Sequence, residues 1–142
     1  MRKLLPFVAC IVCVSCASGG VPRSSRWQPQ DFEFKSSAVI ENPFKVDFRA
    51  VVTGPTGRVF TTLGFYDGQD VWKLRVAADA EGTWELATQS SEPMLNGKKA
   101  SFVCVPNSNA NVHGGLRVDA DNPHHFVYQD GTRYFLMGYE CD

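Results

Sequence analysis

The chain has 142 residues, of which 44% are hydrophobic and 20% charged, and its formal net charge is −1. This length suits one domain that buries its own core without help from a metal. The near-neutral balance, with no basic patch, argues against a nucleic-acid-binding protein.

The N-terminus has the features of a secretory signal. Arg2 and Lys3 precede an apolar run, residues 4–14, and small residues follow as far as Gly20. The run is shorter than the roughly 20 residues that a membrane-spanning helix needs. The sequence therefore predicts export, either to the bacterial cell envelope or to the periplasm or the exterior.

The site of signal cleavage has two interpretations. Residues 14–16, Val-Ser-Cys, resemble a bacterial lipoprotein box, although Cys13 stands where such boxes have Leu. We predict that residues 1–16 form a lipoprotein-like signal and that Cys16 becomes a lipidated N-terminus, the only link to a membrane. Cleavage after Ala17, which would release a soluble protein, is the alternative.

After a Ser/Gly-rich segment predicted as a tether, residues 17–27, the pattern is that of strands. Apolar side chains alternate with polar ones, so that each set faces one side of a strand. The predicted inward sets are Phe32 and Phe34; Phe44, Val46, Phe48, Ala50 and Val52; Val59, Thr61, Leu63 and Phe65; Trp72, Leu74 and Val76; Trp84 and Leu86.

The separators between these sets have the composition of turns. Gly, Pro and Asp cluster at 53–57, 67–70, 78–82 and 130–131. Polar stretches at 90–100 and 106–114 are predicted as loops. Strands at intervals of about 8–12 residues predict a β-sandwich or barrel, which we place at 28–133.

The cysteines and histidines indicate neither a disulfide framework nor a metal site. Outside the signal only Cys104 and Cys141 remain, and we predict two separate thiols, with Cys104 buried in a strand. His113 is alone in a loop, and His124 and His125 point to opposite faces. The segment 119–122 lacks the later ligands of a calcium loop and is predicted as an Asx-type turn.

Exposed aromatic rings are the remaining candidates for a binding site. Trp72 and Trp84 are in phase with the core sets. Trp27 precedes the first clear strand, and Tyr66 lies on the face opposite Phe65, so both are candidates for stacking on a glycan. Packing over the edge of the sandwich is the alternative for Trp27. No nucleophile elbow or phosphate loop is present, and we predict no catalytic residue and no cofactor.

Several motifs in order resemble a known family. They are the motifs at 42–44, 64–68, 72–76, 82–86, 113–118 and 126–131: Asn-Pro-Phe, Gly-Phe-Tyr-Asp-Gly, Trp-Lys-Leu-Arg-Val, Gly-Thr-Trp-Glu-Leu, His-Gly-Gly-Leu-Arg-Val and Phe-Val-Tyr-Gln-Asp-Gly. Over roughly residues 25–138 the chain is similar to domain of unknown function 5060. That domain precedes apiosidase-like, collagen-binding-domain-associated glycoside hydrolase barrels in bacterial exported proteins.

The resemblance implies an immunoglobulin-like antiparallel β-sandwich that is an accessory unit. Its partner would be a following catalytic barrel, which holds the chemistry. Residues 134–142 resemble the start of the first barrel strand, so we expect a truncated chain, and Glu140 and Asp142 receive no role. The alternatives are a module that binds a polysaccharide and a free-standing surface protein that mediates protein contacts.

Overall fold

The computed structural model describes residues 20–136 and 138, and the fold is all-β, as predicted. No α-helix occurs in the described part of the chain. The strands are β1 (Arg23–Ser25), β2 (Pro29–Lys35), β3 (Phe48–Thr53), β4 (Val59–Gly68), β5 (Val71–Ala77), β6 (Gly82–Ser90), β7 (Lys99–Val105), β8 (Leu116–Val118) and β9 (Phe126–Tyr128).

Seven strands form one sheet that is nearly closed, like a barrel. Its order is β1-β7-β6-β3-β4-β5-β2, and every pairing is antiparallel except that of β1 with β7, which is parallel. The sheet curls around the core, so that Phe32 of the edge strand β2 lies with its ring centroid 5.6 Å from that of Phe102 in β7, the strand next to the other edge. Strands β8 and β9 form a separate hairpin.

The predicted core of β5 and β6 is confirmed. Trp72 and Trp84 are each 1% exposed, and Leu74, Val76 and Leu86 are buried with them. The Trp84 indole N–H donates a 2.9 Å hydrogen bond to the carbonyl of Ala80, so its polar atom is satisfied inside the core. The predicted burial of Cys104 is also confirmed, and burial raises the pKa of its thiol.

The predicted inward set of β4 is wrong. Val59, Leu63 and Phe65 are 60%, 74% and 40% exposed, and the alternate residues, from Phe60 to Tyr66, face the core. The register with β3 explains this. Buried Val52 lies opposite Phe60, and directly opposed residues of an antiparallel pair point to the same side of the sheet.

The strand predicted to begin at Phe44 begins later, at Phe48. Pro43–Lys45 is a single 3₁₀ turn, and the side chain of Asn42 accepts a hydrogen bond from the Phe44 N–H. Phe44 is therefore carried outward and is 80% exposed. This part of the predicted inward set is wrong, because the cap and the proline favour a turn over an extended strand.

The segment predicted as a tether, 17–27, contains β1. Residues 23–25 pair with 103–105 of β7, and the Val103 N–H also donates to the carbonyl of Pro22. The sheet therefore begins before the predicted boundary at residue 28. Unpaired backbone at the edge of β7 provides the partner for this strand, which local composition does not reveal.

The hairpin β8–β9 lies outside the main sheet and is extended by a third segment. The Tyr128 N–H donates to the carbonyl of Thr132, and the Tyr134 N–H donates to the carbonyl of Phe126. We call β8, β9 and residues 132–134 the meander. The predicted Asx-type turn at 119–122 lies between β8 and β9, where the Asp121 N–H donates to the Asp119 side chain at 3.0 Å.

Several predictions fall on residues outside the described ranges. These are the signal at 1–16 with the lipidation site Cys16, the thiol of Cys141, and most of the predicted barrel start at 134–142. Among the residues that are described, none belongs to a helix long and apolar enough to cross a membrane.

Candidate functional site

Trp27 stands where the chain crosses from one edge of the sheet to the other. Its backbone has φ 67°, a left-handed conformation that is rare for a bulky residue. Two hydrogen bonds hold the crossing: the Arg26 N–H donates to Val105 of β7, and the Trp27 N–H donates to Ala78 after β5. The tertiary structure therefore imposes this conformation on Trp27 and determines where its indole lies.

The Trp27 indole is half-buried. The Arg26 guanidinium lies 4.0 Å from the ring centroid, and Gly114 packs against the edge that bears the indole nitrogen. That nitrogen is buried and has no hydrogen-bond partner within the described residues. The Trp27 ring packs over an edge of the sheet and also borders a cleft. This position fits both interpretations made from the sequence, packing over the edge and stacking on a glycan.

This cleft beside Trp27 has a volume of about 370 Å³. Two paired polar groups stand at its border: the Arg58–Asp79 ion pair, and His113 with Asp130, whose Nδ1 and Oδ2 are 2.8 Å apart. The residues lining the cleft include Trp27, Arg58, Asp79, Asn111, His113, Tyr128 and Gln129. An indole beside planar polar side chains is suited to a ligand with one apolar face and several hydroxyl groups.

The carboxylate of Asp130 is held in its charged form. The Thr132 N–H donates to it at 2.9 Å and is the largest cause of its lowered pKa, to which the His113 ring also contributes. The sequence interpretation treated His113 as an isolated residue. Asp130 lies 17 positions away, and only the fold of the meander brings it to the ring.

Tyr66 occupies a different pocket, of about 260 Å³, at the β4–β5 turn. Its ring lies 4.9 Å from that of Trp72 and 5.5 Å from that of Phe44. Its hydroxyl accepts a 3.3 Å hydrogen bond from the Asp70 N–H. Tyr66 is thus half-buried, while its neighbour Phe65, predicted to be buried, is the more exposed ring.

The two stacking candidates do not form one site. Tyr66 pairs with Trp72 at the start of β5, whereas Trp27 is bonded to Ala78 just beyond the end of the same strand. Six residues of strand separate these positions by roughly 20 Å. A single sugar ring cannot contact both, so any binding by Trp27 is independent of Tyr66.

A third cleft lies on the outer face of β3, β6 and β7. It measures about 480 Å³, and its titratable lining residues are Glu85 and Lys99. Within the described residues no group of three or more His, Cys, Asp or Glu side chains is placed to hold a metal ion.

Comparison with known proteins links this fold to glycoside hydrolases. The chain is similar to a crystal structure of a provisionally assigned glycoside hydrolase from Bacteroides vulgatus ATCC 8482, with 33% sequence identity and a TM-score of 0.73. The match covers 82% of this chain but only 22% of that one, so this chain spans about a fifth of its length. No curated protein matches.

A family model identifies the core of the fold. It is described as "Domain of unknown function (DUF5060)" and matches residues 23–91, from β1 through the end of β6. The motifs at 42–44, 64–68, 72–76 and 82–86 lie inside this range. Residues 23–91 therefore match the DUF5060 family model, which confirms the resemblance that those motifs indicated.

Proposed function

We propose that this chain is a non-catalytic accessory domain, with an immunoglobulin-like fold, of an exported glycoside hydrolase. The observation that carries the proposal is the extent of the similarity. A third of the aligned residues are identical to those of the Bacteroides vulgatus protein, yet the match occupies only 22% of that chain. The remainder of such a protein is large enough for a separate catalytic domain.

The filled interior supports a role without chemistry. Trp72 and Trp84 occupy the centre of the sheet, and Phe102, also fully buried, stacks on Trp84 with centroids 6.2 Å apart. Glycoside hydrolysis needs two carboxyl groups that face each other across a cleft, one of them with a raised pKa. The pKa of Asp130 is lowered, which is the opposite of what a general acid requires.

Hydrolysis assays on the full purified chain test this role. We expect no release of sugar from a panel of aryl glycosides and plant polysaccharides, with the Bacteroides vulgatus protein assayed in parallel as the comparison. Turnover by this chain that disappears in Asp130→Asn or Asp79→Asn would place a reaction in the Trp27 cleft and end the proposal.

Export and lipid attachment are part of the proposal and rest on the sequence of residues 1–20. The supporting features are the basic start, the short apolar run and the box at 14–16. Mass spectrometry of the mature protein made in a bacterial host tests this. We expect an acylated N-terminal Cys16, which Cys16→Ala should abolish, and an unmodified N-terminus at Ser18 would indicate cleavage after Ala17 instead.

Binding of a glycan is a second candidate function, favoured by the indole and polar side chains of the Trp27 cleft. Titration calorimetry with plant oligosaccharides tests it, and the separation of the two aromatic sites makes the variants specific. We expect Trp27→Ala to abolish binding and Tyr66→Ala to retain it. The reverse result would move the site to the Tyr66 pocket, and no heat of binding from the unmodified chain would reject this function.

A further inference from the structure

One face of the meander is apolar along both of its strands, and its Tyr128 end borders the Trp27 cleft. Leu116 pairs with Tyr128 and Val118 pairs with Phe126, so these four side chains point to the same side. Leu116, Val118 and Phe126 are 49%, 56% and 44% exposed. Contiguous apolar surface of this kind marks an interaction site more often than scattered single residues do.

The third segment of the meander adds an aromatic ring to this surface. Tyr134 follows the same side, with its ring centroid 5.4 Å from that of Tyr128. Phe135 and Leu136 come next and are 83% and 69% exposed. We call the side of the hairpin that carries Leu116, Val118 and Phe126 the meander face.

The meander is weakly anchored to the rest of the domain. Of the six residues in β8 and β9, only Val127 is buried. An isolated two-stranded hairpin is marginally stable in water, because it buries too little apolar surface to offset the ordering of its backbone. A second domain that covers the face opposite Val127 would bury the apolar surface that the hairpin leaves exposed.

We infer that the meander face is the surface on which this domain docks against the catalytic domain of its glycoside hydrolase. This inference rests on the proposed function. The occupant follows from the comparison, in which the same domain shares one chain with a body more than three times its length. Interfaces between domains of one chain commonly combine apolar contact with a polar rim, and His113 borders this face through its contact with Tyr128.

The apolar surface on the outer side of β4 is a poorer candidate. Leu63 and Phe65 also point outward, but they lie within the main sheet, which is stable without cover. The Arg75 guanidinium lies 5.8 Å from the Phe65 ring and shields part of it. Leu63, 74% exposed, therefore provides a matched control for Val118.

Hydrogen exchange in two settings tests the inference. One is the full chain alone, and the other is the Bacteroides vulgatus protein with its matched segment replaced by residues 20–136. We expect the amides of 116–128 to exchange at least about tenfold more slowly in the chimera than in the chain alone. Val118→Glu should remove this gain, and Leu63→Glu should retain it.

Other outcomes separate failure of this inference from failure of the proposed function. Slower exchange at 59–65 instead of 116–128 would show docking through the β4 surface, which overturns the inference and leaves the accessory role intact. No slowing anywhere, or a chimera that aggregates while the chain alone is a folded monomer, would count against both. A dimer of the full chain with 116–128 already protected would make a second copy the occupant.

Discussion

At the scale of single residues, Gly64 shows how closely β4 packs against the core. A Cβ at this position would overlap the Phe48 ring and lie 3.0 Å from the carbonyl oxygen of Lys73. The motif Gly-Phe-Tyr-Asp-Gly therefore begins with glycine for a steric reason. An aromatic ring of β3 occupies the space in which a side chain would lie.

We predict that Gly64→Ala destabilises the domain by roughly 1–3 kcal/mol, because the methyl group must displace Phe48 or shift the strand. The free energy of unfolding in urea measures the effect. Gly115→Ala is the matched control, since the nearest atoms to its new Cβ are 3.9 Å away. Equal unfolding midpoints for the unmodified chain and Gly64→Ala would contradict the close packing.

Asp70 has a left-handed backbone conformation that should lower the stability of the domain. Gln69 and Asp70 form the β4–β5 turn with φ 50° and 61°, the left-handed pair that tight hairpins require. We predict that Asp70→Gly stabilises the domain by about 0.5–1 kcal/mol, because glycine adopts this conformation without strain. The variant retains both hydrogen bonds of the backbone at residue 70: its carbonyl accepts from the Ser36 N–H, and its N–H donates to the Tyr66 hydroxyl.

Thermal unfolding of three proteins checks this prediction. The melting temperature of Asp70→Gly should rise above that of the unmodified chain. Glu85→Gly should fall below it, because Glu85 points outward from the extended strand β6, where glycine only adds freedom to the unfolded chain. A decrease in both variants would mean that the Asp70 side chain stabilises the turn more than its backbone strains it.

At the scale of elements, charged side chains connect β2 to β5 on the outer face of the sheet. Asp31 and Arg75 pair in register, with both carboxylate oxygens 2.7 Å from guanidinium nitrogens. The hydrogen bond from Arg75 is the largest cause of the lowered pKa of Asp31. The edge strand β2 is thus held by ionic contacts as well as by its backbone ladder.

This pair predicts a specific dependence of stability on pH. Because the pKa of Asp31 is lowered in the folded state, its contribution is complete above the ordinary value of 3.8 and is lost as the pH falls through the lowered value. Arg75→Gln should therefore be less stable than the unmodified chain at pH 6, and the difference should shrink progressively as the pH falls below 3.8. Urea midpoints across this range measure it.

Arg117→Gln is the control for that series. Arg117 lies on β8, and no carboxylate within the described residues forms an ion pair with it. Its substitution should leave the pH profile parallel to that of the unmodified chain. If Arg75→Gln also gives a parallel profile, the ion pair seen between β2 and β5 does not contribute to stability in solution.

At the scale of the whole molecule, the main sheet and the meander should differ in stability. The sheet encloses Trp72, Trp84 and Phe102, whereas β8 and β9 bury Val127 alone. We predict that in the full chain the amides of 116–128 become fully deuterated while those of β3 and β6 remain protected, because the meander opens without unfolding the sheet. Hydrogen exchange with mass spectrometry measures this. Simultaneous exchange of both regions would indicate one cooperative unit.

The sequence by itself determined the elements whose signals are local. The alternation at 72–76 and 84–86 has one clearly apolar side, so it predicted both the strands and the burial of Trp72 and Trp84. The turns at 53–57, 67–70 and 78–82 were equally predictable, because Gly, Pro and Asp act through the conformation of their own backbone. The family motifs at 64–68, 72–76 and 82–86 overlap these same elements.

The tertiary structure alone decided the features that depend on distant partners. β4 has apolar residues on both sides, so its pattern is ambiguous, and pairing with Ala50 and Val52 of β3 determines which side is buried. The parallel strand β1, the contact between His113 and Asp130, and the separation of Trp27 from Tyr66 likewise depend on residues far apart in the chain. Spacing along one strand carries no information about which backbone will lie beside it.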